Sequence, residues 1–269
     1  MLLLPLAAAL VANNASVVVP ALCSRLKDTF LSTAMSIKMQ TVAPAEVVVV
    51  ASNCGTVFPY SYASMYRDIF SPIAFRISFH SMRMSSGSAR NVGARNAGGS
   101  HILFFDDDDI MVRDYTRIVM GLFEETGAKM VLHGFHLDVI PCAHQNSEIV
   151  ARTDDLRKMA AATRETGGAI SEDIAHGHVA VKAGVMSTLG FKVMPGIRGE
   201  DVNFVRRVLR TECHAPADCI QTSAQLSVYV RSKRQTTLWT DIAQMLGRPT
   251  RNLRTFDLFS RQAPVVCQA

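Results

Sequence analysis

No two of the six cysteines in this chain stand in a CxxC arrangement. Cys23, Cys54, Cys142, Cys213, Cys219 and Cys267 are scattered along 269 residues. That distribution offers neither the spacing of a zinc site nor that of a disulfide framework, so free thiols in a reducing, cytoplasmic compartment are expected. Also missing is an apolar run long enough to cross a bilayer. The opening MLLLPLAAALVANNASVVVP is apolar from Leu2 to Ala12 and has no Lys or Arg at its front, so it has neither the length of a membrane span nor the basic lead of a signal peptide. Residues 1–15 are therefore expected to be a loosely packed extension, with a signal cleaved near Ala15 or an interfacial anchor as the alternative. Charge is sparse too. The 28 basic and 23 acidic residues leave a net +5, a mild excess that suits an anionic small ligand or an acidic membrane surface. With no aromatic platform and no recognised RNA motif, no nucleic-acid partner is expected. At 48% hydrophobic and 19% charged, the chain is excluded from the disordered class and fits one large globular domain or two small ones.

What is present is an alternation of short apolar runs with longer stretches of helical period. Val17–Val19 and Val47–Val50 are the first two runs, and between them Leu26, Phe30, Leu31, Ala34 and Ile37 fall at helical spacing within residues 24–40. The unit reads strand, helix, strand, the start of a Rossmann-like α/β fold with a mostly parallel central sheet flanked by helices. A weaker strand is expected at Arg76–Phe79, and a short helix at Ala89–Ala97 closed by Gly98 and Gly99. A strand buried on both faces follows at His101–Phe105.

The stretch FFDDDDI, residues 104–110, then sets four aspartates directly against core residues at a strand's carboxyl end. Open α/β sheets bind their ligands at that end. Adjacent carboxylates beside apolar surface ionise only at a cost unless a cation or hydrogen-bond donors offset it. If strand alternation continues, Asp106 and Asp108 share one side and Asp107 turns away. Two carboxylates on one side suit a hard divalent cation, Mn2+ or Mg2+, and through it a diphosphate. Taken alone, a solvated acidic turn would be the commoner reading of such a run.

The segment SGSARNVGARNAGGSHILFFDDDD resembles the stretch of family 2 glycosyltransferases in which an ARNxG helix leads to a strand ending in Asp-x-Asp-Asp. Counted from Arg90, Gly93, Ala97, Gly99, Ile102, Phe104 and the aspartates at 106, 108 and 109 match that pattern. The Arg95-Asn96 copy is out of register. A second stretch, GEDVNFVRRVLR at 199–210, is similar to the family's Gly-Glu-Asp segment opening the helix that carries its base. Its Val202, Val205, Val208 and Leu209 form one apolar face. An ordinary helix cap is the plainer reading of a lone GED.

The resemblance implies a GT-A fold over residues 16–235, with residues 236–269 as a C-terminal helix and basic tail packed on it. It implies a metal-dependent, inverting transfer of a sugar from a nucleotide-diphosphate donor to a hydroxyl of a glycan or glycoconjugate. The alternative is a catalytically silent binding module on the same fold. In this scheme Asp108 holds the metal, Asp106 stands near metal or ribose, and Pro20, Asn53, Asp107 and Arg90 contact the donor. Asp201 is the base, and Glu200 orients the acceptor or completes the helix cap. Arg231, with Tyr229, Lys233 and Arg234, reads either as a basic flap over the diphosphate or as a solvated face. His176 and His178 read as core or surface residues, with completion of the metal shell as the lesser alternative. Two departures stand out: VVVVASNCGT lacks the family's aspartate after the second strand, and Ala21 and Leu22 replace its usual polar residues after Pro20. Membrane contact would be peripheral at most, through the basic tail.

Overall fold

The computed structural model describes residues 14–56, 60–137, 147–162, 170–171, 174–192 and 199–230. The expectations for residues 1–13, for Arg231 and the rest of the basic flap beyond it, and for residues 236–269 lie outside them. The first strand, β1 (Ala15–Leu22), is buried along nearly its whole length. Alternate residues serve two cores. Ala15, Val17, Val19 and Ala21 face one apolar cluster, whereas Val18 faces the other, with Val48, Ile102 and Phe104. A continuous apolar run is what a strand covered on both faces requires.

Helix α1 (Thr29–Lys38) follows a short 3-10 turn at Cys23–Arg25 and returns the chain to β2 (Glu46–Ser52). The expected single helix from residue 24 is thus broken into two pieces. Next come α2 (Tyr60–Phe70), β3 (Ala74–Phe79), α3 (Ser86–Asn96), β4 (His101–Phe104) and β5 (Ile110–Met111). The remaining elements are α4 (Tyr115–Thr126), β6 (Met130–Leu137), β7 (Ile149–Arg152), α5 (Thr153–Ala162), β8 (Ala180–Lys182), α6 (Ala183–Leu189), α7 (Glu200–Thr211) and β9 (Cys219–Tyr229). The strand order is β3-β2-β1-β4-β8-β6-β9-β5, with β7 paired to β9. Strands β1 to β4 pair parallel with one another, as do β6 and β9; β8 is antiparallel to both its neighbours, and β5 and β7 are antiparallel to β9. The parallel half is the part whose apolar runs are continuous in the sequence.

Two features set the position of α3. Its N-terminus is capped by Ser85, whose Oγ accepts the Ser88 N–H at 3.1 Å, so the helix starts three residues before the expected Ala89. It also lies so close to the sheet that a Cβ at Gly93 would fall 2.3 Å from Val18 Cγ1. Close approach, not backbone freedom, is the reason for glycine there. At the other end no left-handed glycine closes the helix. Ala97 is extended, and the N–H groups of Gly98 and Gly99 are taken by the Glu46 carboxylate and Ser16 Oγ.

The cysteine expectation is corrected by the fold. Cys23 and Cys54 form a disulfide with Cα atoms 5.1 Å apart, and Cys213 and Cys219 form another with Cα atoms 5.7 Å apart. Sequence spacing is a poor guide here because β1 and β2 are parallel neighbours. Residues just past their ends meet in space although 31 positions separate them. No described helix is long and apolar enough to cross a membrane. Closing the loop between Cys23 and Cys54, 31 positions apart, restricts the unfolded chain by about 3.7 kcal/mol. The double variant Cys23→Ser/Cys54→Ser should therefore melt roughly 7–15 °C below the unaltered protein; an unchanged Tm, read by calorimetry, would mean that the pair contributes no cross-link in solution.

Candidate active site

The carboxyl ends of β1, β2 and β4 open onto a cavity of about 470 Å³. Pro20 to Leu22 and Arg25 form one wall, Ser85, Ser86 and Arg90 of α3 another, and Asp106 with Asp107 the floor, while Glu200 and Asp201 close the far side. Pro20, Arg90, Asp106, Asp107, Glu200 and Asp201 are thus brought together. Asn53 is not on this wall; it has φ 61° and donates its backbone N–H to Met82, leaving Ser52 to face the cavity.

Three groups of neighbours divide the four aspartates. Asp106 Oδ1 lies 2.5 Å from Nη2 of Arg90, whose guanidinium is almost wholly buried and stands 5.4 Å over the Phe191 ring. Asp107 accepts the Leu22 N–H at 3.0 Å and Nη1 of Arg25 at 2.7 Å. The same guanidinium nitrogen is 2.8 Å from Asp108. Burial, reinforced by repulsion from Asp107 and Asp109, pushes the Asp108 carboxyl up to about 6, although 37% of its side chain still meets solvent. Asp109 accepts the Val230 N–H at 3.2 Å and stands 3.1 Å from His178 Nε2.

This arrangement differs from the expected pairing of Asp106 with Asp108. The strand ends at Phe104, one residue sooner than expected, and the chain turns at Asp107 and Asp108 before β5. Strict alternation therefore stops before the acidic run. Among the described residues, the cluster that could hold a cation is Asp106, Asp109 and His178, whose ligand atoms lie within 4.8 Å of one another. Asp108 is turned to Arg25 instead.

His178 is fully buried, stacked on Phe105 at 4.2 Å and edge-on to Tyr229 at 5.2 Å. Neither ring nitrogen has an aligned hydrogen-bond partner among the described residues, even though Nε2 is 3.1 Å from Asp109 and 3.7 Å from Asp106. An unsatisfied buried nitrogen facing two carboxylates fits a divalent cation, which would accept its lone pair and balance both charges. The neighbouring Gly177 permits this approach, since a Cβ there would fall 2.8 Å from Asp106 Oδ2. On the other side of the same turn His176 is held down at about 4 by burial, against the opposing pull of Asp201. One short turn thus adjoins both the acidic cluster and the expected base.

Asp201 occupies the first turn of α7, just after Gly199, whose φ of 93° only glycine adopts readily. Its Oδ1 accepts the Val202 N–H at 2.9 Å. Glu200 is engaged elsewhere: its Oε2 accepts the N–H of Gly87, in the first turn of α3, at 2.6 Å. Sequence reasoning missed Arg25, gave Asp109 a motif position but no role, and placed His178 among the lesser alternatives. For Arg25 a signal existed, because Ala21 and Leu22 leave the wall after Pro20 without a polar side chain. Nothing in the sequence announced that His178 would face the aspartates, since β8 reaches β4 only through the crossover between β6 and β9.

A mixed sheet with an acidic loop at the carboxyl ends of its parallel strands, facing carboxylates at a helix start across a cavity, is the arrangement expected of the GT-A fold. The chain belongs to glycosyl transferase family 2, whose model matches residues 16–161; Glu200 and Asp201 lie beyond that segment. No relative was found among curated proteins. Among solved structures, it shares its fold with TarS residues 1–349 of S. aureus in complex with UDP, at 15% identity and TM-score 0.56, covering 87% of this chain and 64% of that one. The chain thus spans just under two thirds of that TarS fragment. It likewise resembles the mannosyltransferase PcManGT of Pyrobaculum calidifontis, in complex with GDP-Man and Mn2+, at 19% identity and TM-score 0.53, covering 93% and 66%. Glucosyl-3-phosphoglycerate synthase of Mycobacterium tuberculosis, in complex with Mg2+ and UDP, is similar at 16% identity and TM-score 0.54, covering 90% and 83%.

The geometry separates two assignments of the cation. Asp109→Asn and His178→Ala should each weaken Mn2+-dependent nucleotide binding by about tenfold or more, whereas Asp108→Asn should leave it within a few-fold, by isothermal titration. The reverse order would return the cation to Asp108.

Proposed function

We propose that the protein transfers a sugar from a nucleotide-diphosphate donor to a hydroxyl group of a glycan or glycoconjugate, with inversion at the anomeric carbon. The observation that carries this reading is that Asp201, at the start of α7, and the Asp106, Asp109 and His178 cluster adjoin one cavity of nucleotide size. Family membership and the nucleotide and metal complexes of the similar structures support it.

Asp106, Asp109 and His178 would hold Mn2+ or Mg2+, which supplies positive charge to offset the departing diphosphate. Arg90 and Arg25 keep the aspartates in place, and the first turn of α3, with Ser85 and Ser86 on the cavity wall, presents a helix N-terminus suited to an anionic donor. Asp201 receives the acceptor's proton. Its Oδ1 accepts the Val202 N–H, which holds the carboxylate in a fixed orientation. The acceptor oxygen attacks from the face opposite the diphosphate, and one displacement with one base inverts the configuration. As for placement, the cytoplasmic expectation sits poorly with two disulfides, which persist in oxidising surroundings, and peripheral membrane contact remains part of the proposal through the acceptor.

A panel of nucleotide sugars, assayed with Mn2+ and glycan acceptors, tests the reading. Asp201→Asn preserves side-chain size and much of the capping, but cannot take the proton. Transfer should drop by roughly 10²- to 10⁴-fold while nucleotide affinity holds. Loss of nucleotide binding would make Asp201 a donor-site residue, and a wild-type rate would refute the mechanism.

A further inference from the structure

Glu200, adjacent to the base, spends its carboxylate on a different helix. The acceptance of the Gly87 N–H by its Oε2 at 2.6 Å satisfies a free donor in the first turn of α3. The fit leaves little room: a Cβ on Gly87 would fall 2.6 Å from that oxygen and 3.0 Å from Phe191 Cβ. One turn along α3, Arg90 holds Asp106. A continuous path therefore runs from the base through Glu200 and the start of α3 to the acidic cluster.

A second tie lies deeper on the same two helices. Asn91 exchanges two hydrogen bonds with the backbone of Phe191, donating to its carbonyl at 2.8 Å and accepting its N–H at 2.6 Å. The Phe191 ring stacks at 4.1 Å on Phe204 of α7. Arg207, also on α7, donates to the carbonyls of Gly190 and Leu189 at 2.9 and 3.0 Å. This lower tie fixes the body of α7 against α3. The Glu200 contact ties its first turn, where Asp201 stands, to the start of α3.

We propose that Glu200 is a positioning residue that sets the distance and direction of Asp201 relative to the donor by capping α3, and that it neither takes the acceptor's proton nor binds the acceptor. The inference rests on the reading of Asp201 as the base. A loss of registry of even about 1 Å costs on the order of 10²-fold in rate without requiring a change in donor binding. The chemistry needed from Glu200 is only an acceptor oxygen, which an amide also provides.

The test compares Glu200→Ala, Glu200→Gln and Gly87→Ala, with kcat and donor KM read separately and amide hydrogen exchange followed in the first turn of α7. Glu200→Ala should lose roughly 10- to 100-fold in kcat with donor and acceptor KM within about threefold, and should exchange faster at Val202 and Asn203. Glu200→Gln should recover most of the loss. Gly87→Ala, which leaves Glu200 intact but displaces its carboxylate, should reproduce it. A Gln variant as slow as Ala would show that the carboxylate acts on the substrate itself, and a rise confined to acceptor KM would make Glu200 an acceptor ligand; either overturns the proposal. Exchange rates in α7 that are the same in all variants would also overturn it. Absence of any sugar transfer by the unaltered protein would strike the functional reading, and the exchange arm would still decide whether Glu200 couples the two helices.

Discussion

The site depends on a buried arginine. Arg90 has almost no exposure to water and puts its guanidinium against Asp106, over the Phe191 ring. A buried charge of this kind is tolerable only with a partner in place, so the end of β4 and the middle of α3 are fixed with respect to each other. The remaining aspartates are handled by the same logic: Arg25 serves both Asp107 and Asp108, and the Val230 N–H serves Asp109, which also faces His178. Four like charges in sequence stay together because three elements meet them from different directions.

That dispersal explains which parts were legible in advance. The valine runs of β1 and β2 are written into the sequence because a strand covered on both faces has no polar side to conceal it. The ARNxG and GED stretches also declared their positions, and the structure gives their spacing a cause: Gly93 lets α3 sit on Val18, and Gly199 turns the chain into α7. The partner of each aspartate was not legible, since a polar side chain leaving a strand no longer follows its period. Asp108, expected beside the cation, faces Arg25 for that reason, and Asp109 stands with Asp106 and His178. Asn53 gave its place to Ser52 because a left-handed backbone turned the chain away from the cavity.

The later half, where parallel and antiparallel pairings mix, was less readable for a topological reason. Strand β8 inserts between β4 and β6, and β9 pairs with β5, β6 and β7, so its contacts are long-range and leave no local pattern. Yet this half delivers His178 to the aspartates and, through the disulfide between Cys213 and Cys219, ties the end of α7 to β9. The parallel half is the floor of the site, and the later half brings the groups that complete it.

The account stands on the claim that Asp106, Asp109 and His178 gather around a cation that meets the donor's diphosphate. Anomalous scattering at the manganese edge, from crystals grown with Mn2+ and a nucleoside diphosphate, measures this directly. The predicted result is one strong peak within coordination distance of all three side chains, bridging to the terminal phosphate, with Asp201 facing the open side of the cavity. A manganese peak held by Asp108 without His178, or a nucleotide ordered outside this cavity, would contradict the account.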